Sequence, residues 1–195
     1  MECNLLAFHA YEHKANSIDK HRELIDKWRR TELPQLRLRE IKQGPLMYTL
    51  VYKPEAFLYT KLNDIDTKTY VNMNKLERER KTVLRNETLL QSANGHFESI
   101  VDVKGFDFWK GRSFLKTVLH TQQQFEMYYP YIIRKVHLIH IGGATKYIYD
   151  TFVKPWLPPH LEINTYVDWK QFNETRLRQI PEPSTNDPSW AILRV

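Results

Sequence analysis

The side chains able to do chemistry in this chain are its histidines, a few aspartates and one thiol, and their spacing limits what they can do. His137 and His140 lie three residues apart in the apolar run KVHLIHI. On a β-strand that odd offset sends the two rings to opposite faces, so they cannot chelate one metal. His9 and His13 share a face if the N-terminus is helical, but no third ligand stands near them, and a solvated pair is the simpler reading. Cys3 is the sole cysteine. It excludes an internal disulfide framework and a cysteine-rich zinc site, and it fits a reducing compartment. Asp102 and Asp107 flank a turn after FESIVDV, at the C-terminal end of a strand, where α/β folds place their sites. Acid–base chemistry would need a partner acid and a cleft, and capping of the following loop and helix accounts for both residues. There is no G-x-G-x-x-G after a strand, no P-loop and no G-x-S-x-G elbow. The reading is a non-enzyme with no catalytic set, no metal site and no cofactor motif.

The elements that carry these residues follow from periodicity. Residues 1–33 read as helical, with Ser17 and Asp19 as capping residues, Leu24, Ile25 and Trp28 on one face, and Pro34 as the stop. MYTLVY (47–52) and AFLYTKL (56–62) read as strands around a Lys53-Pro54-Glu55 turn. A long helix is expected over 68–91, with Thr67 as its cap. Then FESIVDV (97–103), a helix over 114–128, KVHLIHI (135–141), a helical stretch over 146–156 and EINTYV (162–167) alternate as β-α-β-α-β. Such alternation implies parallel strands with helices covering the sheet. A short helix over 168–178 and a proline-rich tail running over the surface complete the chain.

Charge and hydropathy exclude other classes. The net charge is +6, but bases alternate with acids, as in ERERK (77–81), so the excess marks a solvated helix face. Without a basic stripe interleaved with aromatics, nucleic-acid binding is not expected. The most apolar run is broken by Arg134, Lys135 and two histidines, short of the ~20 apolar residues of a span. The expectation is a cytoplasmic monomer that meets anionic membranes only from their surface. One stretch stands out: Tyr147, Ile148, Tyr149, Phe152, Val153, Trp156 and Leu157 form an apolar stripe too wide for a helix packed on one side, and Pro155 interrupts it. It reads either as a core helix or as a segment with one face over a ligand and aromatic rims at a membrane.

Three segments in order resemble the CRAL-TRIO family: IVDVKGFDF (100–108), FEMYYPYIIRKVHLIHI (125–141) and FVKPWLPP (152–159), within a likeness running from Asp64 to Trp169. The resemblance implies a three-layer α/β/α lobe whose mostly parallel mixed sheet floors a hydrophobic pocket, with a partial N-terminal helical segment before it. The expected division is 1–33 helical, 34–180 lipid-binding domain and 181–195 tail. It implies that 146–157 is a gate and that the partner is a hydrophobic small molecule or phospholipid, held for transfer, presentation or sensing. The expected lipid contacts are Val101, Val103, Leu119, Ile139, Ile141, Ile148, Tyr149, Phe152, Val153 and Trp156. Tyr131 and Asn164 stand where phosphatidylinositol-binding members carry Glu and Lys, so the likeness does not extend to that headgroup site. Gly142-Gly143 replaces the family's usual Ala-Pro. The competing reading is a protein-interaction module that keeps the fold with a filled pocket.

Overall fold

The structure is a computed structural model that describes residues 18–37, 49–52, 54–92, 97–129, 132–157, 161–184 and 186–193. Cys3, His9, His13 and Tyr131 lie outside the described residues. Six strands form one sheet: β1 (Thr49–Tyr52), β2 (Phe57–Lys61), β3 (Phe97–Asp102), β4 (Ile133–Ile139), β5 (Glu162–Tyr166) and β6 (Trp190–Leu193). Their order across the sheet is β5-β4-β3-β2-β1-β6. The pairs from β2 to β5 are parallel, as the alternating pattern predicts, and β1 is antiparallel to both of its neighbours.

Strand alternation splits the core in two. On one face Leu58, Val101, Val136, Leu138 and Ile163 point toward α1 (Ile18–Arg37), α2 (Thr67–Asn72), α3 (Lys75–Ser92) and α4 (Arg112–Glu126). On the other, Phe57, Ile100, Ile139 and Tyr166 pack under α6 (Trp169–Glu174). Two layers of helices therefore sandwich one mixed sheet. Trp28 fastens α1 to the first face, stacking on Tyr128 with ring centroids 4.5 Å apart and meeting Tyr129 edge-on.

Four boundaries differ from expectation. Pro34 lies inside α1 rather than ending it. Its missing N–H removes one bond, but buried Leu33 anchors that turn against the core. The long helix expected over 68–91 is two helices, broken at Met73, whose ψ of 142° is extended. Asn74 starts the second by accepting from the Leu76 N–H at 2.9 Å. Asp66, not Thr67, caps the first, accepting from the Thr69 N–H at 3.0 Å. The tail does not merely cross the surface, because Trp190–Leu193 pairs with β1 and buries Trp190 against Tyr52 and Tyr59. The prolines of 181–188 mask the short strand that follows them.

Candidate functional site

The side chains on the first face do not fill the space above the sheet. A cavity of about 240 Å³ lies there. Its floor is the cavity-facing half of each parallel strand: Thr60 and Leu62, then Ser99, Val101 and Val103, then Val136 and Leu138, then Ile163. Register aligns them in rows, since Thr60 pairs with Val101 and Val101 with Leu138. Its wall is α4, whose Phe114, Leu115, Val118 and Leu119 face inward at helical spacing. Farther along α4 the same face turns polar, with Gln122, Gln123 and Glu126, and Arg85 of α3 lies opposite.

The chain crosses from the sheet to the cavity roof at Gly142-Gly143. Gly143 has φ of +53°, a left-handed turn that a side chain would strain. The single helix expected over 146–156 is three short pieces. These are α5 (Gly143–Ile148), a wide π-helical turn (Tyr149–Val153) and a 3₁₀ turn (Lys154–Trp156). Pro155 supplies the break, and π turns of this kind gather at functional sites. Tyr149, Val153 and Leu157 project into the cavity, and burial pushes the Tyr149 phenol up to about 12.

The rest of this segment turns outward and is clasped by the loop before α4. Phe152 packs on Trp109 with centroids 4.9 Å apart, and the Arg112 guanidinium lies 5.2 Å over the Trp156 ring. The loop folds tightly because Gly111 admits Phe106. A Cβ there would stand 2.1 Å from the Phe106 ring, so no larger residue fits without a shift. Asp107 caps the loop, accepting from the Trp109 and Lys110 N–H groups.

The geometry thus brings together Val101, Val103, Leu119, Tyr149 and Val153 of the ten expected contacts. Ile139 is on the opposite face with Ile100 and Trp169, and Leu138 takes its place at the cavity, a one-residue slip that flips the face. Ile141 is buried and Ile148 half-buried in the surrounding core, but neither lines the cavity. Phe152 and Trp156 serve the clasp. Sequence reading missed Arg85, Ser99, Thr60 and Gln122. The available signal was polar residues at core-facing positions of otherwise amphipathic helices and strands.

The opposite face carries a charged network instead. His137 shares a 2.7 Å hydrogen bond with Glu98 and a 3.2 Å one with the Tyr166 hydroxyl. That bond holds the Glu98 carboxyl below the usual carboxylate range, although burial raises it. Arg176 reaches Glu55 at 2.9 Å and lies 4.4 Å over the Phe57 ring. Lys135 pairs with Glu162 at 2.8 Å, and Asn164 also donates to Glu162. At the strand ends, burial raises Asp102, but hydrogen bonds from the Lys104 N–H, His140 and the Tyr59 hydroxyl outweigh it and hold the carboxyl low. Burial is also the main reason the Tyr59 phenol titrates well above its ordinary range. The expectation that His137 and His140 face apart fails here. His140 has φ of +65°, outside strand geometry, so its ring reaches Asp102 on the face that holds His137. Their carboxylate partners are four residues apart on β3, more than ~12 Å at strand rise, so the two rings do not share a ligand.

The architecture is a mixed sheet between helices, with a mainly apolar cavity on one face. Residues 53–176 match the CRAL/TRIO domain, and the chain belongs to that family, whose members bind or transfer lipids. Among solved structures, the crystal structure of Sfh5 is similar, with a TM-score of 0.57 at 16% identity. The match covers 88% of this chain and 65% of that one, and at this identity it shows the fold alone. No curated protein matches the sequence.

Proposed function

We propose that this chain holds one hydrophobic molecule in the cavity above β2–β5, retained by the 143–157 segment acting as a gate, and exchanges it at anionic membrane surfaces. The observation that carries the reading is the contrast within β3 and β4, where one set of alternate side chains is close-packed and the other borders open space. Each buried CH₂ of a lipid chain contributes ~0.8 kcal/mol, so apolar walls bind without a catalytic group. Trp109 and Tyr147, 57% and 68% exposed, flank or sit on the gate and suit a water–lipid boundary. No helix among the described residues is long and apolar enough to cross a membrane, and the +6 charge supports surface attraction instead.

The test is native mass spectrometry of the purified chain, followed by organic extraction. One hydrophobic molecule per chain is the expected result. The cavity is smaller than the roughly 300–1,000 Å³ of typical ligand sites, which favours a second reading, a protein-interaction module with no lipid. An empty chain that also refuses lipid from vesicles would establish that alternative. Binding to anionic vesicles should weaken as salt rises, and salt-independent binding would remove the electrostatic part of the proposal.

A further inference from the structure

Arg85 lies midway along α3 and lines the cavity. Its Nε and Nη2 donate to the Asn86 side-chain oxygen at 3.4 and 3.3 Å, and Nη2 also reaches the Gln122 oxygen at 2.5 Å. Both acceptors are neutral amides. Among the described residues no ion pair joins Arg85 to a carboxylate. Burial lowers the guanidinium's pKa, and the Tyr70 phenol opposes it. A half-buried cation that meets only neutral amides keeps only part of its hydration and has no counter-charge beside it. Holding α3 against α4 does not by itself require a charge, since neutral N–H donors also bond amide oxygens. The charge thus faces the cavity without a carboxylate partner and is available to an anion that enters it.

The remaining polar lining agrees. Thr60 and Ser99 are diagonal neighbours on β2 and β3, two hydroxyl groups in an otherwise aliphatic floor. Gln122 and Gln123 come from the same half of α4 that faces Arg85, whereas the other half and the gate supply Phe114, Tyr149 and Val153. At about 240 Å³ the cavity suits one chain better than two. Resting on the lipid-binding reading above, we infer that the preferred ligand is a single-chain lipid with an anionic head, its carboxylate or phosphate held by the Arg85 guanidinium and its tail running toward the gate. Arginine suits the task, because its planar fork meets either anion with two parallel N–H donors.

Calorimetric titration of the full chain with palmitate, palmitoyl lysophosphatidate and hexadecanol tests this. At least one of the two anions should bind about tenfold more tightly than the alcohol, the worth of one charge-assisted contact. Preference for palmitate assigns a carboxylate head, and preference for the lysolipid assigns a phosphate. Arg85→Gln should bring the ratio of acid to alcohol affinity down to about one, and Arg85→Lys should keep part of it. Equal binding of alcohol and acids by the unmodified chain overturns the inference, and that comparison needs no variant to fold. A folded Arg85→Gln chain that still prefers the acid also overturns it. If hexadecanol binds and the acids do not, the cavity reading survives and the anion does not. If none of the three binds, the cavity reading falls and takes the inference with it.

Discussion

The two faces of the sheet use the same strands for opposite ends. Under α6, Phe172 is fully buried and its ring meets Phe57, His137, Tyr166 and Trp169 within 6.3 Å, so every direction is occupied. Under α4, Val101, Val118 and Val136 are only partly buried although they lie inside the molecule, because they border the cavity. Adjacent residues such as Ile100 and Val101 thus belong to different regimes. The filled face holds the close packing, and the hollow face leaves dispersion contacts unmade, which under the proposed function a guest would supply.

The largest expected effect follows from that difference. Phe172→Ala should cost about 3–5 kcal/mol in urea unfolding, the range for emptying a packed aromatic site. Val118→Ala, which enlarges an existing void, should cost less than about 1 kcal/mol. If the two losses are alike, the contrast between the faces is wrong.

Enlarging side chains gives the converse. Ile100→Phe should cost about 1–3 kcal/mol, because the packed face has no room for it. Val101→Phe has the cavity to enter, so its cost should stay below about 1 kcal/mol while extraction with solvent recovers no lipid. A Val101→Phe chain that retains lipid normally would place the guest elsewhere.

How far these faces were legible depends on how local their signals are. The parallel strands and the pattern β-α-β-α-β follow from alternating runs such as FESIVDV, and half of the expected contacts do line the cavity. The error at Ile139 came from extending one face along KVHLIHI without an anchor. The register that sets Leu138 opposite Val101 is a property of the paired strands and not of either strand alone. His140 was misjudged because its positive φ depends on tertiary context. Arg85 carries no signal of its own in the sequence, since the void beside it exists only after α3 and α4 pack.

A smaller effect concerns the roof. Phe152 does not touch the cavity, so its role is to hold the segment against Trp109. Trp109→Ala removes an aromatic pair worth about 0.5–1.5 kcal/mol, which should raise lipid release to vesicles by roughly twofold to tenfold while lowering the melting temperature by no more than about 5 °C. An unchanged release rate would mean that the 143–157 segment is fixed wall and not a gate.

The smallest effect separates the faces by pH. Glu98 is held low chiefly by His137, with Arg176 and Lys135 adding to the effect. A carboxyl whose folded pKa is depressed contributes stability that is complete above its ordinary value of about 4.3 and is lost as pH falls through the folded value. The melting temperature of the unmodified chain should therefore fall more steeply below about pH 4.5 than that of Glu98→Gln, which has no such carboxyl to protonate. Parallel curves would show that the network on the packed face does not couple to folding. Lipid uptake across the same range should follow the folded fraction alone, because Glu98 lies on the far side of the sheet from the cavity. A loss of uptake in chain that is still folded would show that the two faces communicate through β3 and β4.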